Sequence, residues 1–242
     1  MTTLFISDLH LCAERPEVNA AFFHFLQTSA AEADALYILG DLFEAWIGDD
    51  DPAPLSQQVI RALRALTDAG TRLYFQHGNR DFAIGKRFAR ETGATLLKDH
   101  TLVTLGDEQV LVLHGDSLCT DDIAYQKFRQ RIRNPLVLGI MRRLPLKTRQ
   151  QIGIKGRQKS MAANSNKSSS IMDVSPATVT ALMTEYGVTT MIHGHTHRPH
   201  RHDVQLDDGR QGQRIVLGDW GSKGWLVCAS DEGLALSSFT ID

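Results

Sequence analysis

The sequence lacks the features that define several large protein classes. Its three cysteines, Cys12, Cys119 and Cys228, are an odd number without Cys-x-x-Cys spacing. That excludes a disulfide framework and a cysteine-built zinc site, and reduced thiols are expected. No apolar run approaches the roughly 18 residues that a membrane-spanning helix needs. The opening MTTLFISDLHL has no basic n-region and meets Asp8 after a brief apolar stretch, so no secretory signal is expected. Aromatic residues make up only 7% of the chain, against 42% hydrophobic and 22% charged overall, a globular balance that excludes a disordered, collagen-like or coiled-coil chain. At 242 residues, one α/β domain with an insertion is expected.

A further absence is local. From Ile123 to Met172 there are twelve Lys and Arg and no Asp or Glu, although the whole chain carries 26 basic residues against 28 acidic ones. The same stretch holds the apolar run PLVLGIMRRLPL. A one-sided block of this kind implies a surface that meets something both anionic and greasy, which points to an anionic membrane surface as a partner.

What is present is a repeated local pattern. Short aliphatic runs at Leu4–Ser7, Ala35–Leu39, Arg72–Gln76, Val110–Leu113 and Thr189–Ile192 read as buried strands. Helical spacing fills Pro54–Ala69, with Leu55, Val59, Ala62, Leu63 and Leu66 on one face, and Phe82–Glu91 ahead of Gly93. The alternation implies α/β layers. Arg214–Leu217, Gly224–Ala229 and Leu234–Ile241 lie too close together for helices between them and are expected to form an antiparallel meander. Residues 120–172 show no strand pattern. Breaks at Asn134-Pro135 and Leu144-Pro145 and a Ser-rich loop at Ser165–Ser170 mark this stretch as a helical cap inserted into a single domain, 1–242.

Each of the five runs ends in a polar cluster: Asp8-Leu9-His10, Gly40-Asp41, Gly78-Asn79-Arg80-Asp81, His114-Gly115-Asp116 and His193-Gly194-His195-Thr196-His197. Ligands of α/β sheets collect beyond the carboxyl ends of strands, so these clusters are expected to converge. Asp8, His10, Asp41, Asn79, His114, His195 and His197 form an oxygen and imidazole set without thiolate, suited to Mn²⁺, Fe²⁺ or Zn²⁺. Seven ligands exceed the needs of one ion. Two ions about 3.5 to 4 Å apart, bridged by a carboxylate and a water, would use them all and suit in-line displacement at phosphorus. Glycines at 40, 78, 115 and 194 are expected where backbone passes too close to the metals for a β-carbon.

In this order the clusters resemble the calcineurin-like metallophosphoesterases, over Asp8 to His197. The resemblance implies a two-sheet α/β sandwich with flanking helices and a dinuclear site. Asp8, His10, Asp41 and His197 would hold one ion; Asp41, Asn79, His114 and His195 would hold the other, with Asp41 as bridge. This chain departs from the family at position 80, where arginine replaces the usual histidine. That implies a leaving group needing no protonation, such as a nucleoside monophosphate, with Arg80 supplying fixed positive charge. Arg80, His114 and His195 are thus the candidate catalytic residues, the two histidines as ligands rather than as acid or base.

Arg80, the run Glu44-Ala-Trp46-Ile-Gly48-Asp-Asp50 and the basic insertion are similar to one branch of that family, which cleaves a glycolipid nucleotide. The similarity implies Mn²⁺, peripheral attachment to the cytoplasmic face of the inner membrane, and substrate contacts at Asn79, Arg80, Asp122, Ser160, Asn164, Lys167 and His195. Tyr125, Phe128 and Arg157 of the same segment complete the candidate substrate-binding set. Asp81, Asp116 and Asp121 are expected to fix imidazole tautomers.

Two other readings compete. A nuclease would track a phosphate backbone with the basic segment; however, only Tyr125 and Phe128 are available for base stacking, beside Leu136, Val137, Leu138, Ile140, Met141 and Leu144, so no nucleic-acid partner is expected. A non-catalytic metal scaffold requires missing ligands, and none is missing.

Overall fold

Alternation within the short runs decides which face of each strand is covered by what. In the computed structural model, which describes residues 1–164 and 173–241 apart from the side chains of 157–164, the runs become strands of two sheets. The first has the order β11 (Gly233–Thr240), β10 (Lys223–Ser230), β1 (Thr3–Ile6), β2 (Ala35–Ile38), β3 (Arg72–Phe75), β4 (Thr95–Leu96), and the second β5 (Thr101–Leu105), β6 (Glu108–Leu113), β7 (Thr190–His193), β9 (Gln211–Val216), β8 (His200–Gln205). Strands β1, β2 and β3 are parallel, as are β6 and β7. Leu4, Ile6, Leu36, Ile38, Leu73 and Phe75 pack outward under α1 (Pro16–Gln27), α2 (Pro54–Asp68) and α3 (Lys86–Thr92). Their alternates Phe5, Ala35, Tyr37 and Leu39 turn inward to Val110, Val112, Ile192 and Ile215 of the other sheet. On the far side, Leu111, Leu113 and Met191 bury under Val179 and Met183 of α7 (Pro176–Glu185). Each aliphatic side chain fully buried this way contributes roughly 1.5–3 kcal/mol. The fold is α/β, a two-sheet sandwich between helices.

Register then places the site. Ile6 pairs with Ile38 and Ile38 with Phe75, while Leu113 pairs with His193. Parallel strands in step end together, so the loops after them leave from one edge.

The C-terminal meander expected from the sequence does not form. β9 (Gln211–Val216) runs parallel to β7 and antiparallel to β8 (His200–Gln205), inside the second sheet. Of the three expected strands, β10 (Lys223–Ser230) and β11 (Gly233–Thr240) pair with each other as a hairpin, joined antiparallel to β1 in the first sheet. The reason is burial: Ile215 and Leu217 belong to the core between the sheets. Local spacing does not disclose which sheet will cover a strand. Beyond β8, the structure also adds α1, α7, β4 (Thr95–Leu96) and β5 (Thr101–Leu105) to the expected elements. α3 begins at Lys86, later than the periodicity suggests, because its first turn is capped from a distance. Asp49 accepts from the backbone of Gly85, Arg87 and Phe88 at 2.9, 3.1 and 3.1 Å.

Between the two sheets' loops, α4 (Ile123–Ile132), α5 (Pro135–Arg143) and α6 (Leu146–Asn164) break at the two prolines as expected. Asn134 Oδ1 caps α5 by accepting from Leu136 N at 2.9 Å. Neither α4 nor α5 buries a residue fully. Ile123, Phe128, Leu136, Ile140, Ile152 and Ile154 stand exposed on these helices. Polar clamps seat them instead: Arg149 forms a two-pronged pair with Asp50, 2.7 Å at Nη1–Oδ1, and Arg142 donates to Ala83 O and Ile84 O at 3.3 Å. These two cations of the one-sided segment therefore turn toward the sandwich's loops. Ser165–Ser170 lies outside the described residues.

Candidate active site

The five loops converge as expected. Asp8, after β1, has Oδ2 occupied by Ser7 Oγ at 2.6 Å and by His195 N at 2.8 Å. Its Oδ1 is buried without a hydrogen-bond donor, 3.4 Å from His197 Nε2. His197 Nε2 in turn lies 3.3 Å from His10 Nε2. Asp41, after β2, points Oδ2 toward His10 Nε2 at 3.9 Å and Oδ1 toward His114 Nε2 at 3.7 Å. Asn79 Oδ1, after β3, lies 3.0 Å from His114 Nε2 and 2.9 Å from His195 Nδ1. All seven sequence-predicted ligands thus share one cluster.

The backbone is bent to achieve this. Asp8, His10, Asp41, His195 and His197 have φ between 52° and 70°, and they are the five non-glycine residues with positive φ among the described residues. Left-handed backbone costs a residue with a β-carbon roughly 1–2 kcal/mol, so its concentration in the ligand set marks a site that the surrounding fold holds in place. The glycines have a related but different reason from the expected one. A β-carbon on Gly78 would collide with the Asp41 carboxylate, and one on Gly194 with the Asp8 carboxylate and the Ser7 hydroxyl. At these two positions the side chains of candidate ligands occupy the space a β-carbon would need.

Electrostatics agree with a cation site. Burial alone would raise the Asp8 carboxyl, but the His197 imidazole beside it and the charges of His114 and His10 hold it well below the usual range. Burial and neighbouring His114 push His195 down to about 4, so near pH 7 it offers a lone pair rather than a proton. The donor set fits divalent ions: Asp8, His10 and His197, and likewise Asp8, Asp41 and His114, have ligand atoms within 4.8 Å of one another. Asp8 Oδ1 without a donor and two imidazole nitrogens facing each other are the arrangement a shared cation would satisfy.

The calcineurin-like phosphoesterase family profile matches residues 1–199. The chain belongs to this family. As a calcineurin-like phosphoesterase it is a metal-dependent hydrolase. Among curated relatives, a UDP-2,3-diacylglucosamine hydrolase of Ectopseudomonas mendocina (strain ymp) is 52% identical over 98% of each chain. One of Azotobacter vinelandii is 50% identical over all of both chains, and one of Enterobacter sp. is 52% identical over 99% of each. Among solved structures, an archaeal phosphodiesterase overlays with a TM-score of 0.49 at 12% identity, covering 99% of each chain.

The remaining candidates of this calcineurin-like site are placed unevenly. Arg80 sits at the rim, its N–H on Asp41 Oδ1 at 2.8 Å, its carbonyl accepting from Trp46 N at 3.1 Å and its Nη1 3.5 Å from Glu44 Oε1. The Tyr125 ring stacks over His195 with centroids 6.3 Å apart. Asp122 caps α4, its Oδ1 accepting from Tyr125 N at 3.0 Å, and Phe128 stands exposed on α4. Arg157, Ser160 and Asn164 fall in α6 where side chains are outside the described residues, and Lys167 lies outside them entirely.

The expected imidazole partners need correction. Asp81 accepts from Leu42 N and Gly78 N at 2.8 Å each, holding two loop backbones, and burial with nearby Asp41 raises it to about 6. Asp116 meets Tyr125 and two arginines, and Asp121 is exposed. The imidazoles are oriented by other groups: Leu39 O lies 2.9 Å from His114 Nδ1, and Glu44 Oε2 lies 3.2 Å from His10 Nδ1. Glu44, between the candidate ligand His10 and Arg80, is a candidate site residue to which the sequence pattern gave no role of its own. Its place in the Glu44–Asp50 run was the available signal.

Proposed function

We propose that this chain hydrolyses the diphosphate of UDP-2,3-diacylglucosamine in lipid A synthesis, giving 2,3-diacylglucosamine 1-phosphate and UMP. The observation that carries the reading is the near-full-length identity of 50–52% to relatives named for that substrate. The site supports it. Asp8, His10, Asp41 and His197 would hold one divalent ion and Asp41, Asn79, His114 and His195 a second, with Mn²⁺ the expected metal. Bound there, the ions would supply charge neutralisation at the phosphates and a water acidic enough to attack near neutral pH. The chain's own groups arrange the rest. Glu44 and the Trp46 backbone fix Arg80 beside the ligands, where its guanidinium meets phosphate charge without a proton to give up. Attack at the α-phosphorus forms a P–O bond to water oxygen and breaks the bond to the bridging oxygen. That oxygen leaves on the sugar phosphate, a phosphate monoester, and one proton passes to solvent.

The α4–α6 segment acts as the cap. Asp122, Tyr125, Phe128, Arg157, Ser160, Asn164 and Lys167, with Asn79, Arg80 and His195, would contact the glycolipid nucleotide, and the exposed apolar residues suit acyl chains. No helix among the described residues is long and apolar enough to cross a membrane, so the basic, apolar cap would rest peripherally on anionic lipid at the cytoplasmic face of the inner membrane. Hydrolysis in H₂¹⁸O followed by mass spectrometry tests the reaction. The label is expected in UMP; label in the lipid phosphate overturns attack at the α-phosphorus, and absence of cleavage overturns the substrate.

A further inference from the structure

Asp116 is a fully buried carboxylate, 1% exposed, two residues beyond His114 and outside the ligand set. Its Oδ2 receives three donors from α4 and the residue after it: Tyr125 Oη at 2.7 Å, Arg129 Nε at 2.8 Å and Arg133 Nη2 at 3.1 Å. Both guanidiniums also grip Asp99, at 2.9 and 2.5 Å. Two cations thus meet two anions. A buried network of this kind is costly when half satisfied and fixes one arrangement when complete.

Two of the three donors continue to the metal site. Arg133 Nη2 also donates to Gly78 O at 3.0 Å and His77 O at 3.3 Å, the carbonyls just before Asn79. Tyr125 lays its ring on that of His195. Asn79 Oδ1 is the atom that His114 and His195 both face. One carboxylate therefore braces both sides of the Asn79, His114 and His195 half of the site, through a helix of the cap.

From this geometry we infer that Asp116 is a positioning residue: with Arg133 it couples the seating of α4 to the affinity of the second metal half-site, on the reading that Asn79, His114 and His195 are ligands. The Arg149–Asp50 pair seats α6 on the far end of the loop that follows Asp41, with Ile47 O as a further acceptor at 2.8 Å, and reaches none of the Asn79, His114 and His195 loops, and so separates this role from cap docking in general.

The test titrates the full-length apo-protein with Mn²⁺ by EPR and calorimetry. Wild type is expected to bind two ions; a single ion or none would overturn the dinuclear reading itself. Asp116→Asn and Arg133→Gln are each expected to weaken one of the two binding steps about 10- to 100-fold, the usual cost of losing an outer partner, and to leave the other within about threefold. Arg149→Gln is expected to leave both steps unchanged. If Asp116→Asn does not fold, Arg133→Gln, which keeps the carboxylate and its other donors, decides alone. Unaltered binding in the folded variants overturns the proposal, as does an equal loss in Arg149→Gln.

Discussion

Strands β1, β2 and β7 are buried at every residue, whereas α4 and α5 bury none fully, and arginines hold the cap instead: Arg129 and Arg133 on Asp116 and Asp99 for α4, Arg142 on the Ala83 and Ile84 carbonyls for α5, and Arg149 on Asp50 for α6. On the proposed reading the metal ligands rise from the sandwich loops, and of the candidate substrate groups Asn79, Arg80 and His195 do so too while the others belong to the cap. Packing fixes the ligand loops because a one-residue slip would turn every inward side chain outward. Ion pairs fix the cap while leaving its apolar residues free to meet a greasy ligand. On the proposed function, the contrast assigns chemistry to the sandwich and selectivity to the cap.

The largest test removes what the cap would hold. UDP-N-acetylglucosamine keeps the reacting diphosphate but lacks both acyl chains. Each buried methylene is worth roughly 0.8 kcal/mol, so kcat/KM should fall at least about a thousandfold, on the order of 4 kcal/mol. Assays below the micelle threshold that gave comparable kcat/KM for the two compounds would erase the division of labour. The next test strikes the sandwich. Asp41 faces both halves of the site, so Asp41→Asn should cut turnover on the order of a hundredfold at saturating Mn²⁺; retention of more than about a tenth of the wild-type rate would refute a bridging role. The smallest effect concerns the cap's outer surface. At about 1 kcal/mol per basic residue near anionic lipid, a high-salt wash should release the protein from membranes. A need for detergent defeats the electrostatic part of this idea, and failure to pellet with membranes at all confines the cap to substrate binding.

Much of this was legible in the sequence because the ligand clusters directly succeed runs whose burial is their own signal. Leu4–Ile6 or Thr190–Ile192 can only be strands of a covered sheet, and the polar residues after each run must emerge at an edge. The rest depended on distant pairings. Ile215 entered the second sheet because of the strand across from it, and the start of α3 was set by Asp49, 37 positions before Lys86. Glu44 and Asp116 acquired their roles from partners far along the chain, His10 and Arg80 for one and Arg133 for the other. α1 is a different case: Val18, Phe22, Phe25 and Leu26 carry helical spacing that was open to reading.

The left-handed backbone at Asp8, His10, Asp41, His195 and His197 sets a stability–activity trade-off into the chain. Glycine at any of the five would relax the turn and, in the same stroke, delete a candidate metal donor. Selection for melting temperature alone would therefore erode the centre first, and any programme to harden this protein must exempt these positions while seeking its gains in the helices and loops that carry no ligand.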